Sequence, residues 1–183
     1  LFSFQQNTWG ESTLNEFLVA KPSMPDPRFY ETVIVMLYHN QEEGAAGLVV
    51  NKPIETISVR ELFKRSNLKT PEKITEKEIT LYWGGPVDPQ HIFFIHSSDY
   101  KSNDFITSNN DFIITREPKV LFDIAKNTGP EEYIILLGLS VWESGQLDSE
   151  MLRGDWDKKL NNYTSLFDNG KEMWSHLISS RDI

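Results

Sequence analysis

Glycine, proline and short polar turns cut this chain into brief apolar runs, and the length of those runs limits what it can build. The longest, Thr32 to Tyr38 and Tyr133 to Leu139, have the length of strands and fall well short of the roughly 18 apolar residues of a membrane-spanning helix. The first is β-branched and continuously apolar, as in a strand covered on both faces, and the second is strongly apolar. Glu16 to Ala20, Gly47 to Asn51, Ile79 to Trp83 and His91 to His96 read as further strands, with a weaker one at Phe112 to Ile114. Lys52-Pro53 is expected to stop the Gly47 strand, and Gly84-Gly85-Pro86-Val87 to join the Ile79 and His91 strands as a pair.

Helices fall between and after these runs. Ser58-Val59-Arg60-Glu61 has the spacing of a capping box and opens a short helix to about Ser66. Val120, Leu121, Ile124 and Ala125 share one face of a helix from about Glu117 to Asn127, placed between two strands so that a β-α-β crossover is expected. A helix from Gly145 to Arg153, closed by Gly154, and another from Lys171 to Ser179 complete the pattern. The fold class expected is α+β, one domain over 1–183 with a polar lead-in at 1–15.

Charge and composition exclude several functions. The net charge is −9, so the averaged field repels polyphosphates, and the basic residues form no stripe interleaved with aromatics; nucleic acid is disfavoured as a partner. There are no cysteines, which removes disulfides, thiolate nucleophiles and Cys-type zinc sites and fits a cytoplasmic chain. His39, His91, His96 and His176 show no metal-ligand spacing, and no phosphate-cradling or dinucleotide glycine pattern occurs, so neither metal nor cofactor is expected. Gly138-Leu139-Ser140-Val141-Trp142 fails as a nucleophile elbow because Trp142 stands where the second glycine belongs; Ser140 reads as a loop residue. Trp142, Trp156 and Trp174 read as packing residues.

Several segments, taken in order, resemble the AlgH/YqgE-like family of bacteria: Phe17 through Phe29 with its Pro22, Pro25, Asp26 and Pro27, then Glu31-Thr32-Val33, His39, Gly44 through Pro53 with Asn51, Gly84-Gly85-Pro86-Val87, His96, and Gly145-Gln146-Leu147 with Glu150 and Trp156. The resemblance implies a strongly bent mixed sheet approaching a barrel, flanked by helices, and carries the label of transcriptional regulator. This chain departs from the family pattern at Leu139 and Val141.

The residues themselves give the matched glycines and prolines a scaffold role, as rigid turns. The functional expectation is that the Pro22 to Pro27 loop, the Gly84-Gly85-Pro86 turn and the segment Ser140 to Ser144 converge on one cleft, with Asp26, His39, Asn51, His96, Trp142 and Gln146 around it and the amides near Gly145 open to an anion. Such a chain is expected to bind a small molecule or a protein partner without turnover, acting on transcription only indirectly. The rival expectation is a hydrolase or transferase using His39 or His96 as general base beside Asp26 or Glu150. Direct DNA recognition ranks last, since no helix clusters Arg and Lys.

Overall fold

A computed structural model describes residues 16–160, 166–167, 170 and 172–180. The lead-in expected at 1–15 and the expected helix start at Lys171 lie outside the described residues. Among the described residues ten strands form one mixed sheet: β1 (Glu16–Ala20), β2 (Val33–Asn40), β3 (Gly44–Val49), β4 (Pro53–Ser58), β5 (Glu78–Trp83), β6 (Val87–Ser97), β7 (Thr107–Ser108), β8 (Phe112–Thr115), β9 (Tyr133–Trp142) and β10 (Trp156–Leu160). Four α-helices of the described residues accompany it: α1 (Val59–Arg65), α2 (Pro118–Ala125), α3 (Gln146–Arg153) and α4 (Met173–Ser179). The strand order is β10-β1-β2-β3-β9-β6-β8-β7, with β4 on β5 and β5 on β9. The order ends at β10 and β7, so the sheet is open.

The sheet bends until its two wings share one core. Phe17, Val35 and Leu37 of β1 and β2 pack in the same cluster as Phe93, Ile95 and Ile114 of β6 and β8, with Met173 and Leu177 of α4. The outer faces are covered separately. Helices α1 and α2 lie over β5, β6 and β9, burying Leu62, Phe63, Val120, Leu121 and Ile124. Helix α3 lies over β1, β2 and β3, where Leu147 meets Leu18, Ile34, Met36 and Ala45. Strand β2 is therefore apolar on both sides, which is why its sequence runs apolar without alternation.

Strand β9 organises the topology. Along one edge it pairs with β5, in parallel at Leu81 to Trp83 with Ile135 to Leu137, and then with β3, antiparallel at Ala45 to Gly47 with Ser140 to Trp142. Strand β6 takes the other edge. The expected β5–β6 hairpin is thus absent, and the two strands flank β9 instead. The link Gly84-Gly85-Pro86 carries the chain across β9 at Gly138. Gly84 N–H donates to Leu137 O at 2.8 Å while Gly84 O accepts from Val49 N at 2.9 Å. A Cβ on Gly84 would stand 2.2 Å from Gly138 O, one on Gly85 2.1 Å from Leu139 C, and one on Gly138 2.5 Å from Gly85 O. Three glycines are required because three backbones meet with no space for a side chain.

Three strands were not expected from the sequence: β4, β10 and the two-residue β7. Pro53 opens β4 rather than ending a run, because β4 has β5 as its partner and an initial proline costs such a strand no ladder bond. The charged run Trp156 to Leu160 becomes β10, paired along β1. The β8-α2-β9 connection is a crossover with a strand between: β8 and β9 each run antiparallel to β6, so they are parallel to one another across it. Ser58 caps α1 as expected, its hydroxyl accepting from Glu61 N at 3.1 Å.

Candidate functional site

A bulge in β2 places His39. The register passes from Met36 opposite Gly47 to Tyr38 opposite Ala46, leaving Leu37 as the extra residue. Without it, alternation would send Tyr38 outward and His39 inward. With it, Tyr38 joins the inner core and His39 comes beside Ala45 on the outer face, beneath α3. There His39 Nε2 lies 3.0 Å from Asp148 Oδ1, in the first turn of α3. The histidine side chain is 21% exposed and the aspartate 50%.

Next to this pair is a cavity of about 260 Å³. Leu18, Met36 and Leu147 form its apolar part, and Glu16, His39 and Lys158 also line it. Lys158 Nζ is 3.5 Å from Glu16 Oε2 across the β1–β10 pairing, and both side chains are about half exposed. Such a pair adds about 0–1 kcal/mol at most, so it is exchangeable for ligand contacts at little cost.

Farther along the same helix face is a carboxylate held by indoles. Glu150 Oε2 accepts from Trp142 Nε1 at 2.9 Å and from Trp156 Nε1 at 2.7 Å, while Oε1 accepts from Gln146 Nε2 at 3.0 Å. Trp142 and Trp156 meet edge to face at 6.0 Å, and Phe29 bridges Trp156 to Trp83 with centroids at 5.6 and 5.5 Å. Trp174 is apart from them, donating to Ala20 O.

The expected cleft residues divide into groups. His39, Trp142, Gly145 and Gln146 gather around α3. The proline-rich loop touches the other end of that helix: Lys21 N donates to Asp155 O and Ser23 Oγ to Gly154 O. Within that loop Pro22 is exposed, and Asp26 is bonded to its neighbour Arg28, which holds its carboxyl below the usual range. Gly145 has φ 74° and open space around it. Gly84, Gly85 and the exposed Pro86 belong to the crossing over β9, and Ser140 is buried in β9 rather than in a loop, its hydroxyl on Gly84 O. Asn51 is structural as well: Oδ1 accepts from Val33 N and Nδ2 donates to Glu31 O, both at 2.8 Å.

His96 sits elsewhere. It pairs with Tyr133, nine residues from Trp142 at the far end of β9, about 30 Å of extended chain at ~3.3 Å per residue. Its ring is fully buried, and burial lowers its pKa from 6.5, with the Ser97 carbonyl and the charges of Asp99 and Glu117 opposing the shift. The unfolded chain therefore binds a proton that the folded chain resists. Stability is expected to fall as pH drops below about 6.5 and to level off below the folded value. Urea titrations across that window check this, and His96→Gln should flatten the slope.

Neither histidine meets the acids expected beside it. Asp26 is taken by Arg28 and Glu150 by the two indoles. Leu147 was marked only as part of the Gly145-Gln146-Leu147 match, and Asp148, Lys158 and Glu16 were not expected at a site, since only the bulge and the β1–β10 pairing bring them to His39. Among the described residues no group of three or more His, Asp or Glu could hold a metal ion, and no helix is long and apolar enough to cross a membrane.

Comparison with known proteins agrees with this architecture. The solution structure of the AlgH protein from Pseudomonas aeruginosa matches with a TM-score of 0.75 and 30% identity, over 96% of this chain and 94% of that one. A crystal structure of a Corynebacterium diphtheriae protein, 19% identical, shares the fold with a TM-score of 0.63 over 86% of this chain and 80% of that one. A UPF0301 protein of Pseudoalteromonas translucida is 38% identical over 80% of this chain and 78% of its own length, and one of Proteus mirabilis 35% identical over 78% and 77%. The AlgH-like family profile matches residues 17–183, and the chain belongs to that family.

Proposed function

We propose that this AlgH-like chain is a binding module that takes a small molecule, without turning it over, in the cavity between α3 and strands β1, β2 and β10, and passes its occupancy to a protein partner. The observation that carries this reading is the cavity itself: an apolar interior of Leu18, Met36 and Leu147 bordered by His39, which contacts Asp148, and by the Glu16–Lys158 ion pair. That combination suits an amphipathic ligand, and a volume of about 260 Å³ suits a small metabolite, being below the roughly 300–1,000 Å³ of larger ligand sites. Helix α3 gives such a ligand a lever, because it joins the His39 end of the sheet to the proline-rich loop. A net charge of −9 supports an indirect rather than a direct route to DNA.

Equilibrium dialysis of the purified chain against a bacterial metabolite extract, read by mass spectrometry, tests the reading. A small set of retained compounds, released roughly tenfold more readily by Lys158→Glu or His39→Ala, is the expected result; ~1.4 kcal/mol corresponds to that factor. Retention equal to that of the variants would count against it.

A second reading rests on one distance. His39 Nε2 at 3.0 Å from Asp148 has the geometry of a base oriented by a carboxylate, the other ring nitrogen then facing a substrate, as in a hydrolase or transferase. Turnover of a retained compound, lost in His39→Ala, would favour it over binding alone.

A further inference from the structure

At the end of the sheet away from α3, a second histidine makes a different arrangement. His96 Nδ1 lies 2.9 Å from Ser97 O, and His96 Nε2 lies 2.9 Å from Ser102 Oγ. A carbonyl oxygen only accepts, so Nδ1 carries the ring proton and Nε2 presents its lone pair. The Ser102 hydroxyl therefore donates to Nε2. The ring is fully buried, and Tyr100 closes over it edge to face at 5.4 Å, its own hydroxyl donating to Asp123 at 2.6 Å. The segment carrying Ser102 is pinned on its far side, where Asn103 N donates to Glu117 Oε2 at 3.1 Å and Thr115 Oγ1 to Asp104 O at 2.5 Å. Ser102 itself is partly exposed.

Carbonyl, imidazole and hydroxyl in that order form an orienter, a base and a nucleophile, the logic shared by unrelated acyl-transfer sites. We propose that Ser102 is a nucleophile activated by His96, accepting acyl groups from carboxylic esters, independently of binding at the α3 cavity. Ser102 Oγ attacks the ester carbonyl as Nε2 takes its proton. The bond to the alcohol breaks, and the departing alkoxide collects that proton from the imidazolium. Water, deprotonated by the same nitrogen, then releases the acid and restores the serine. Asp99 and Glu117 bring negative charge close enough to favour the transient imidazolium. Burial keeps the resting ring neutral, the form a base requires.

The test uses the full chain and a fluorophosphonate ester. Its P–F bond breaks as the Oγ–P bond forms, and hydrogen fluoride leaves with the serine proton. Intact-mass and peptide mass spectrometry should find one adduct, on Ser102. Labelling should rise with pH through a midpoint below 6.5, and should slow about a hundredfold in His96→Gln, the scale of a lost general base. Ser102→Ala should abolish it. If His96→Gln does not fold, the pH profile of the native chain decides the matter. Labelling no faster than in urea, on other serines, or without that pH dependence would overturn the proposal and leave Ser102 as a hydrogen-bond partner for a buried ring. p-Nitrophenyl acetate hydrolysis that survives Ser102→Ala would overturn it equally, without touching the reading of the α3 cavity.

Discussion

Gly85→Ala is expected to leave little or no folded protein, while Gly145→Ala folds with a loss of about 1 kcal/mol. Both glycines have positive φ, but the 74° of Gly145 is near the left-handed region open to other residues while the 151° of Gly85 is far from it, and the two differ in space as well. Around Gly145 nothing lies within 4 Å of a new Cβ, and the cost is that of a left-handed backbone alone. At Gly85 the added carbon would stand 2.1 Å from Leu139 C and 2.3 Å from Ser140 N, atoms of a central strand that pairs along both edges. Relief requires β9 to move against β3, β5 and β6 together. A loss above about 4 kcal/mol is the expected scale, a large part of the 5–15 kcal/mol that holds a domain folded. Urea unfolding of the two variants side by side measures the difference. Equal stabilities would mean that the chain does not cross β9 as described.

Glu150→Ala should cost about 3 kcal/mol and shift the tryptophan emission to longer wavelength. The alanine leaves the indole N–H groups of Trp142 and Trp156, both nearly buried, without their acceptor, and frees the Gln146 amide as well. An orphaned buried donor costs about 1–3 kcal/mol, and here there are two. Glu150→Gln keeps one carbonyl oxygen for the indoles and should lose less than half as much. The contrast between the two variants, read by denaturation and fluorescence together, separates loss of the acceptor from loss of the charge. If both variants retain native stability, the indole pair does not depend on this carboxylate.

Much of the fold was legible because it depends on local chemistry. The Ser58 cap, the Gly154 stop after α3, the two-faced burial of β2 and the apolar stripe of α2 each follow from residues close together in the chain. What escaped depends on distant partners. Nothing in Pro53 or in Trp156 to Leu160 announces a strand until β5 and β1 provide an edge. The Gly84-Gly85-Pro86 segment has the composition of a hairpin turn, and only Gly138, more than fifty residues later, reveals a crossing. The site divides the same way. His39, Trp142, Gly145 and Gln146 were identified from sequence, yet the partner of His39 is Asp148 because a bulge at Leu37 turns the ring toward α3. The Pro22, Asp26, Asn51 and Gly84 positions read as one cleft in sequence; in the fold Asp26 is engaged by Arg28, Asn51 by the backbone of Val33 and Glu31, and Gly84 by the crossing over β9.

The α3 cavity is the centre of this account, and NMR mapping tests it most directly. Amide shifts of the ¹⁵N-labelled chain, followed during titration with a library of small organic acids and amines, should change together at Leu18, Met36, His39, Leu147 and Lys158 for any compound that binds. The same compounds should lose those shifts in Lys158→Glu, whose half-exposed side chain leaves the core untouched. Binders that perturb other surfaces and leave these five amides still would contradict the assignment of this cavity as the binding site.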